Sequence, residues 1–112
     1  PEVASVGLSE EEAKEKFDIQ VSRFPFYGCG KALVLNETYG MVKIIAEKKY
    51  GEVLGVHIIG PHATDMIAEA VLGMSMEMTV EELAYAVHPH PTLSEAIMES
   101  ALSLCGGAIH MP

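Results

Sequence analysis

The segment His88-Pro-His-Pro-Thr-Leu-Ser-Glu95 contains the residues of this chain best suited to chemistry. Prolines on either side of His90 fix the neighbouring backbone and keep that histidine out of a helix. A histidine held in this way, just ahead of a helix start, is presented rather than packed. Glu95 follows in the first turn of the helix that Thr92 is expected to open. From there its carboxylate can reach the imidazole, select its tautomer and stabilise the imidazolium, as the orienting acid does in a catalytic triad. Such a pair suits taking a proton from a thiol and returning it near neutral pH. A purely structural explanation stands beside this one. Thr92 and Glu95 have capping-box spacing, and a histidine between two prolines can serve as a turn residue bonded to backbone.

The other candidates carry less. His57 lies within an apolar run and reads as a satisfied strand residue, His62 follows Gly60-Pro61 and reads as a loop, and His110 belongs to the tail. His88 and His90 form an HxH, but no acidic or cysteine ligand stands at a standard spacing, so no metal site is expected. Cys29 and Cys105 are far apart, and there is no CxxC. They read as packed or idle thiols of a reducing compartment.

The elements that must position His90 and Glu95 can be read along the chain. Residues 2–7 form a short strand, and Ser9 with Glu12 makes a capping box for an acidic helix ending near Phe17. Ile19 to Phe26 is a strand that Pro25 places at a sheet edge or strand end, and Tyr27-Gly-Cys-Gly30 breaks it. Met41–Ala46 and Val53–Ile59 are β-branched runs around a polar stretch, which predicts a hairpin. The second run is apolar at nearly every position, as in a strand covered on both faces. Met66, Ile67, Ala70, Val71, Met74 and Met78 follow helical spacing as one apolar stripe. Thr79 with Glu82 caps a second helix through Val87, and the last helix runs to about Leu104. Strands first and helices later, without βαβ alternation, give an α+β fold: an antiparallel sheet with helices packed on one face.

Composition narrows the function further. A chain of 112 residues, 49% hydrophobic and without an apolar run of membrane-spanning length, is a globular domain and not a membrane span. Seven Lys and Arg against sixteen acids, a net charge of −9, leave no basic stripe for nucleic acid. No GxGxxG follows a strand and there is no GxxxxGK[ST], so the chain holds no dinucleotide or phosphate loop of its own. A complete active site is therefore not expected here. The start at Pro1, with no initiator Met and no signal-peptide pattern, reads as a piece of a longer protein.

Taken in order, Pro1-Glu-Val-Ala-Ser-Val-Gly-Leu8, Phe24-Pro-Phe26, Gly30-Lys-Ala32, Leu54-Gly-Val-His-Ile-Ile-Gly-Pro61, Glu69, Thr79-Val-Glu-Glu-Leu83 and His90-Pro-Thr-Leu-Ser-Glu95 resemble a known domain. It is the C-terminal interface (dimerisation) domain of the pyridine nucleotide–disulfide oxidoreductases. The resemblance spans nearly the whole chain, and HPHPTLSE is most similar to the dihydrolipoamide dehydrogenases of that family. Tyr27-Gly-Cys-Gly30 departs from the small, polar residues usual at that place.

The resemblance implies that residues 1–112 are a single interface domain of a longer flavoenzyme, whose upstream domains bind FAD and NAD and hold a redox disulfide. It further implies a homodimer of the cytoplasm, or of the mitochondrial matrix in a eukaryote. By the same resemblance His90 is expected to be the acid–base residue for the partner subunit's site, with Glu95 orienting it. The His90–Pro91 peptide is expected to be cis, with His90 and Pro91 near the partner's FAD. The acyltransferase subunit of a 2-oxoacid dehydrogenase complex is the further partner that the resemblance suggests. The fragment alone is expected to bind no cofactor and to be inactive. The alternatives are an interface domain of a glutathione or mercuric reductase, a self-association module without catalysis, and a metal-binding domain using His88 and His90.

Overall fold

The β-branched runs make the sheet, and its order explains their differing polarity. The computed structural model describes residues 1–106. Four strands, β1 (Glu2–Gly7), β2 (Ile19–Pro25), β3 (Met41–Glu47) and β4 (Val53–Gly60), form an antiparallel sheet in the order β1-β4-β3-β2. β4 is central and almost wholly buried, as expected of a run that is apolar on both faces, and β2 with its Pro25 is an edge. β3 and β4 form the expected hairpin, where the Glu47 carboxylate accepts the backbone N–H groups of Lys49, Tyr50 and Glu52.

One face of the sheet carries Phe24, Val42, Ile44, Val56 and Ile58, all with no exposed surface. Helices cover that face. α3 (Ala63–Ser75) packs over β1 and β4. α5 (Glu95–Cys105) packs over β2 and β3, and beside it lies α4 (Val80–Tyr85). Burying side chains of this size stabilises by roughly 1.5–3 kcal/mol each, so this layer supplies most of the cohesion. Deep within it the Ser22 and Ser100 hydroxyls meet at 2.7 Å, and the Ser100 hydroxyl also lies 3.2 Å from the Val42 carbonyl, joining α5 to the sheet through polar atoms with no unmet demand.

The α+β architecture with helices on one face is thus observed, with one addition. α1 (Glu10–Lys16) lies on the other face, where Ala13 closes a small second core on Ile45 and Leu54. Its entry passes so close to β4 that Gly55 has no room for a side chain. A Cβ there would lie 2.1 Å from the Leu8 carbonyl oxygen.

Several boundaries differ from the expected ones. α2 (Gly30–Leu35) has no counterpart in the sequence reading; it lacks a side-chain N-cap and stops at Asn36 in the left-handed conformation, φ 56°. Met78 lies beyond α3, because the chain turns at Glu77 (φ 57°) and the Met78 N–H bonds back to the Gly73 carbonyl. Val71 faces outward rather than joining the stripe. α4 ends at Tyr85, two residues short of Val87. The N-terminus of α3 is capped from a distance, the Glu2 carboxylate accepting the Thr64 N–H at 2.9 Å and its hydroxyl at 2.6 Å.

An ion cluster fastens α1 to the sheet. Glu10 Oε1 lies 2.8 Å from both Lys43 Nζ and Arg23 Nη2, and Oε2 lies 3.3 Å from Lys14 Nζ. Hydrogen bonds from Lys43 and then Lys14 lower the Glu10 carboxyl from 4.5 to about 2. A depressed carboxylate contributes stability that is present above its unfolded value and is lost as pH falls through the folded one. Glu10→Gln should therefore lower the thermal midpoint at pH 7, with the difference from wild type shrinking from about pH 4.5 and closing near pH 2. Paired melting curves across that range would check it.

Candidate functional site

The HPHP segment crosses from the end of α4 to the start of α5 and is tied at several points. The His88 imidazole is buried, with Nδ1 2.8 Å from the Ala86 carbonyl oxygen and Nε2 2.5 Å from Glu69 Oε2 on α3. The Thr92 hydroxyl donates to the Pro89 carbonyl at 2.7 Å, closing a turn around His90. The Cys29 thiol donates to the Thr92 carbonyl at 3.3 Å, so the loop before α2 supports the same turn. The His90–Pro91 peptide is cis.

Within this frame His90 and Glu95 come together. Nδ1 of His90 is 2.9 Å from each carboxylate oxygen of Glu95, and Oε1 of Glu95 also accepts the Thr92 N–H at 2.9 Å. Because a carboxylate only accepts, Nδ1 carries the proton and Nε2 is left as the outward-facing atom. The His90 side chain is 71% exposed while that of Glu95 is 16% exposed, so the acid is held and the base is offered.

Thr92 does not cap α5 in the expected way. Its hydroxyl is turned to Pro89, the N-cap position falls to Ser94 in a helical conformation, and only the backward half of the box, Glu95 to the Thr92 N–H, is made. The Thr92 hydroxyl is thereby engaged in shaping the turn.

A recess of about 150 Å³ opens beside His90, lined by Gly28, Cys29, Gly30, Leu33, Glu95 and the buried Glu99 one turn further along α5. A wider one of about 400 Å³ on the other side of the loop is bounded by Lys31, His62, Asp65, Pro91 and Thr92.

The remaining candidates separate cleanly. His88 and His90 turn to different carboxylates, Glu69 and Glu95, and no group of three or more metal-ligating side chains converges among the described residues. His57 is satisfied in the sheet, with Nδ1 2.9 Å from the Ser5 hydroxyl and Nε2 2.9 Å from the Leu8 carbonyl. His62 forms the start of α3 with φ 58° and faces Asp65 at 3.6 Å. Cys29 and Cys105 are unpaired thiols, and burial, then Glu81, pushes the Cys105 thiol up. His110 lies outside the described residues. The sequence reading weighed His88 only as a metal ligand and Glu69 only as a family marker. Their contact joins positions 19 residues apart and has no local pattern.

The family described as pyridine nucleotide-disulphide oxidoreductase, dimerisation domain, matches residues 1–101. This chain belongs to that family. The dimerisation domain is 53% identical over 111 residues to a dihydrolipoyl dehydrogenase of Bacillus subtilis, covering 98% of this chain and 23% of the relative. It is 45% identical to the mitochondrial dihydrolipoyl dehydrogenase 2 of Arabidopsis thaliana, covering 99% and 22%. Among solved structures, LpdA of Mycobacterium tuberculosis superposes with a TM-score of 0.87 at 28% identity, covering 93% of this chain and 23% of that one. The HOCl-induced flavoprotein disulfide reductase RclA of Escherichia coli gives 0.85 at 29%, covering 89% and 23%. The dimerisation domain thus spans about a quarter of the length of these relatives.

Removing the acid should loosen both the turn and the imidazole. Glu95→Ala leaves the Thr92 N–H without its acceptor and should cost about 1 kcal/mol, the scale of a lost helix cap. In long-range ¹H–¹⁵N spectra, neutral His90 should carry its proton on Nδ1 in the wild type. In the variant that preference should disappear.

Proposed function

We propose that this domain completes the active site of a dihydrolipoyl dehydrogenase, serving the partner subunit of a homodimer with His90 as acid–base residue and Glu95 as its orienting carboxylate. The observation that carries this reading is the geometry of the pair: Nδ1 fixed on Glu95 and Nε2 directed outward on a largely exposed ring. Family membership and 53% identity to a dihydrolipoyl dehydrogenase support the substrate class.

Each residue then has a defined task. Nε2 of His90 accepts the proton of a dihydrolipoamide thiol, and Glu95 stabilises the imidazolium that forms. The thiolate so generated attacks one sulfur of the enzyme's redox disulfide and displaces the other. The proton held at Nε2 is afterwards available to the leaving sulfur. FAD and NAD, bound by upstream domains, would carry the electrons onward. The edge offered by His90 and Pro91 would lie against the partner's FAD, with no cofactor held by this domain itself, so the isolated domain is inactive.

The surface fits an interface role. Leu33 and Val34 on α2 are 60% and 74% exposed and Val87 is 97% exposed, all close in sequence to the recess or the HPHP turn. Apolar side chains left open on one side favour cover by a second subunit. The net charge of −9 suits a basic segment of an acyltransferase subunit. No described helix is long and apolar enough to cross a membrane, and the cytoplasm, or the mitochondrial matrix in a eukaryote, is the proposed compartment.

His90→Gln in the full-length enzyme tests the reading. Lipoamide turnover should fall about a hundredfold, the scale of lost general acid–base catalysis, while reduction of artificial acceptors by the flavin survives. Unchanged lipoamide turnover would leave a dimerisation role without catalysis.

A further inference from the structure

The HPHP segment holds two histidines paired with carboxylates, His88 with Glu69 and His90 with Glu95, and of these two pairs the second faces outward. We propose that the buried pair, His88 with Glu69, positions His90 against Glu95; the inference rests on the acid–base reading of His90.

The argument begins with what anchors the loop. α3 stands over β1 and β4, whereas α5 stands over β2 and β3, so the two helices occupy different halves of the sheet. The HPHP segment is bonded to α5 through Glu95 and the Thr92 N–H. On its other side the side-chain tie to α3 is the contact between His88 Nε2 and Glu69 Oε2. Between these anchors Pro89 and Pro91 restrict the backbone, and the Thr92 hydroxyl holds the Pro89 carbonyl. A displacement of His88 is therefore transmitted through a stiff dipeptide to His90.

Proton counting strengthens the case. Nδ1 of His88 faces a carbonyl oxygen and Nε2 faces a carboxylate, two hydrogen-bond acceptors. A neutral imidazole has one N–H and can serve only one of them. A single N–H leaves the other contact without a donor, at a side chain that is 5% exposed. A glutamine in place of Glu69 supplies that donor, since its amide can donate to Nε2 while Nδ1 still donates to Ala86. An alanine cannot.

A double-mutant cycle in the full-length enzyme decides the matter. Glu69→Ala should lower kcat for dihydrolipoamide about tenfold, with flavin-dependent reduction of artificial acceptors and dimer content unchanged. Glu69→Gln should recover most of that loss. In the His90→Gln background, Glu69→Ala should have no further effect, because it acts through His90. If Glu69→Ala does not fold, His88→Gln takes its place in the cycle. Wild-type turnover in the alanine variant, an equal loss in both backgrounds, or a parallel fall in artificial-acceptor reduction would overturn the proposal. An intact lipoamide turnover in His90→Gln alone would instead bring down the acid–base reading on which it rests.

Discussion

Everything in this domain depends on a central strand that is apolar on both faces. β4 is hydrogen-bonded to β1 and β3 at its two edges, roofed by the helical layer on one face and partly floored by α1 on the other. The seven residues of β3 and eight of β4 form one hairpin, and the outer strands attach to it. Covering both faces of the central strand requires two separate helical contacts, and the close passage at Gly55 is part of what allows the second. The cost is a chain that must enter and leave the sheet in a fixed order, which sets where its last two helices can stand.

That order places the HPHP segment at the meeting of two half-layers. α3 descends from β4, the chain reverses at Glu77, α4 lies beside the incoming α5, and the short connection between them is held by atoms from α3, α5 and the loop before α2. A loop fixed from three directions keeps an exposed imidazole in one orientation without burying it. Rigidity from such tethering differs from rigidity by packing, because it leaves the outer edge of the ring open to another surface.

Much of this was legible in the residues, and the limits have physical causes. Ser9 with Glu12 and Thr79 with Glu82 announced two helix starts because a capping box is a local device spanning four residues, and both boxes are made in full. The hairpin and the edge position of β2 followed from β-branched runs and Pro25. Thr92 misled because its hydroxyl had a second acceptor in Pro89, which spacing cannot reveal. α2 escaped because Gly30-Lys-Ala-Leu-Val-Leu35 begins with glycine and has no N-cap side chain; its one signal was Asn36 at the stop. The pairing of His90 with Glu95 was within reach of local reasoning, while Glu69 with His88 and Glu2 with Thr64 are long-range contacts that only the assembled sheet creates.

The edge of the sheet at β2 bears on how copies of such a domain can meet. Its last residue, Pro25, has no N–H to give to an incoming strand, and the exposed Arg23 places a charge midway along the free side, already drawn toward Glu10. An intruding strand would find an interrupted ladder and a cation that must surrender its ion pair. Growth of the sheet into a neighbouring molecule is thereby discouraged along β2. The fold protects itself from open-ended, fibre-like association at that border.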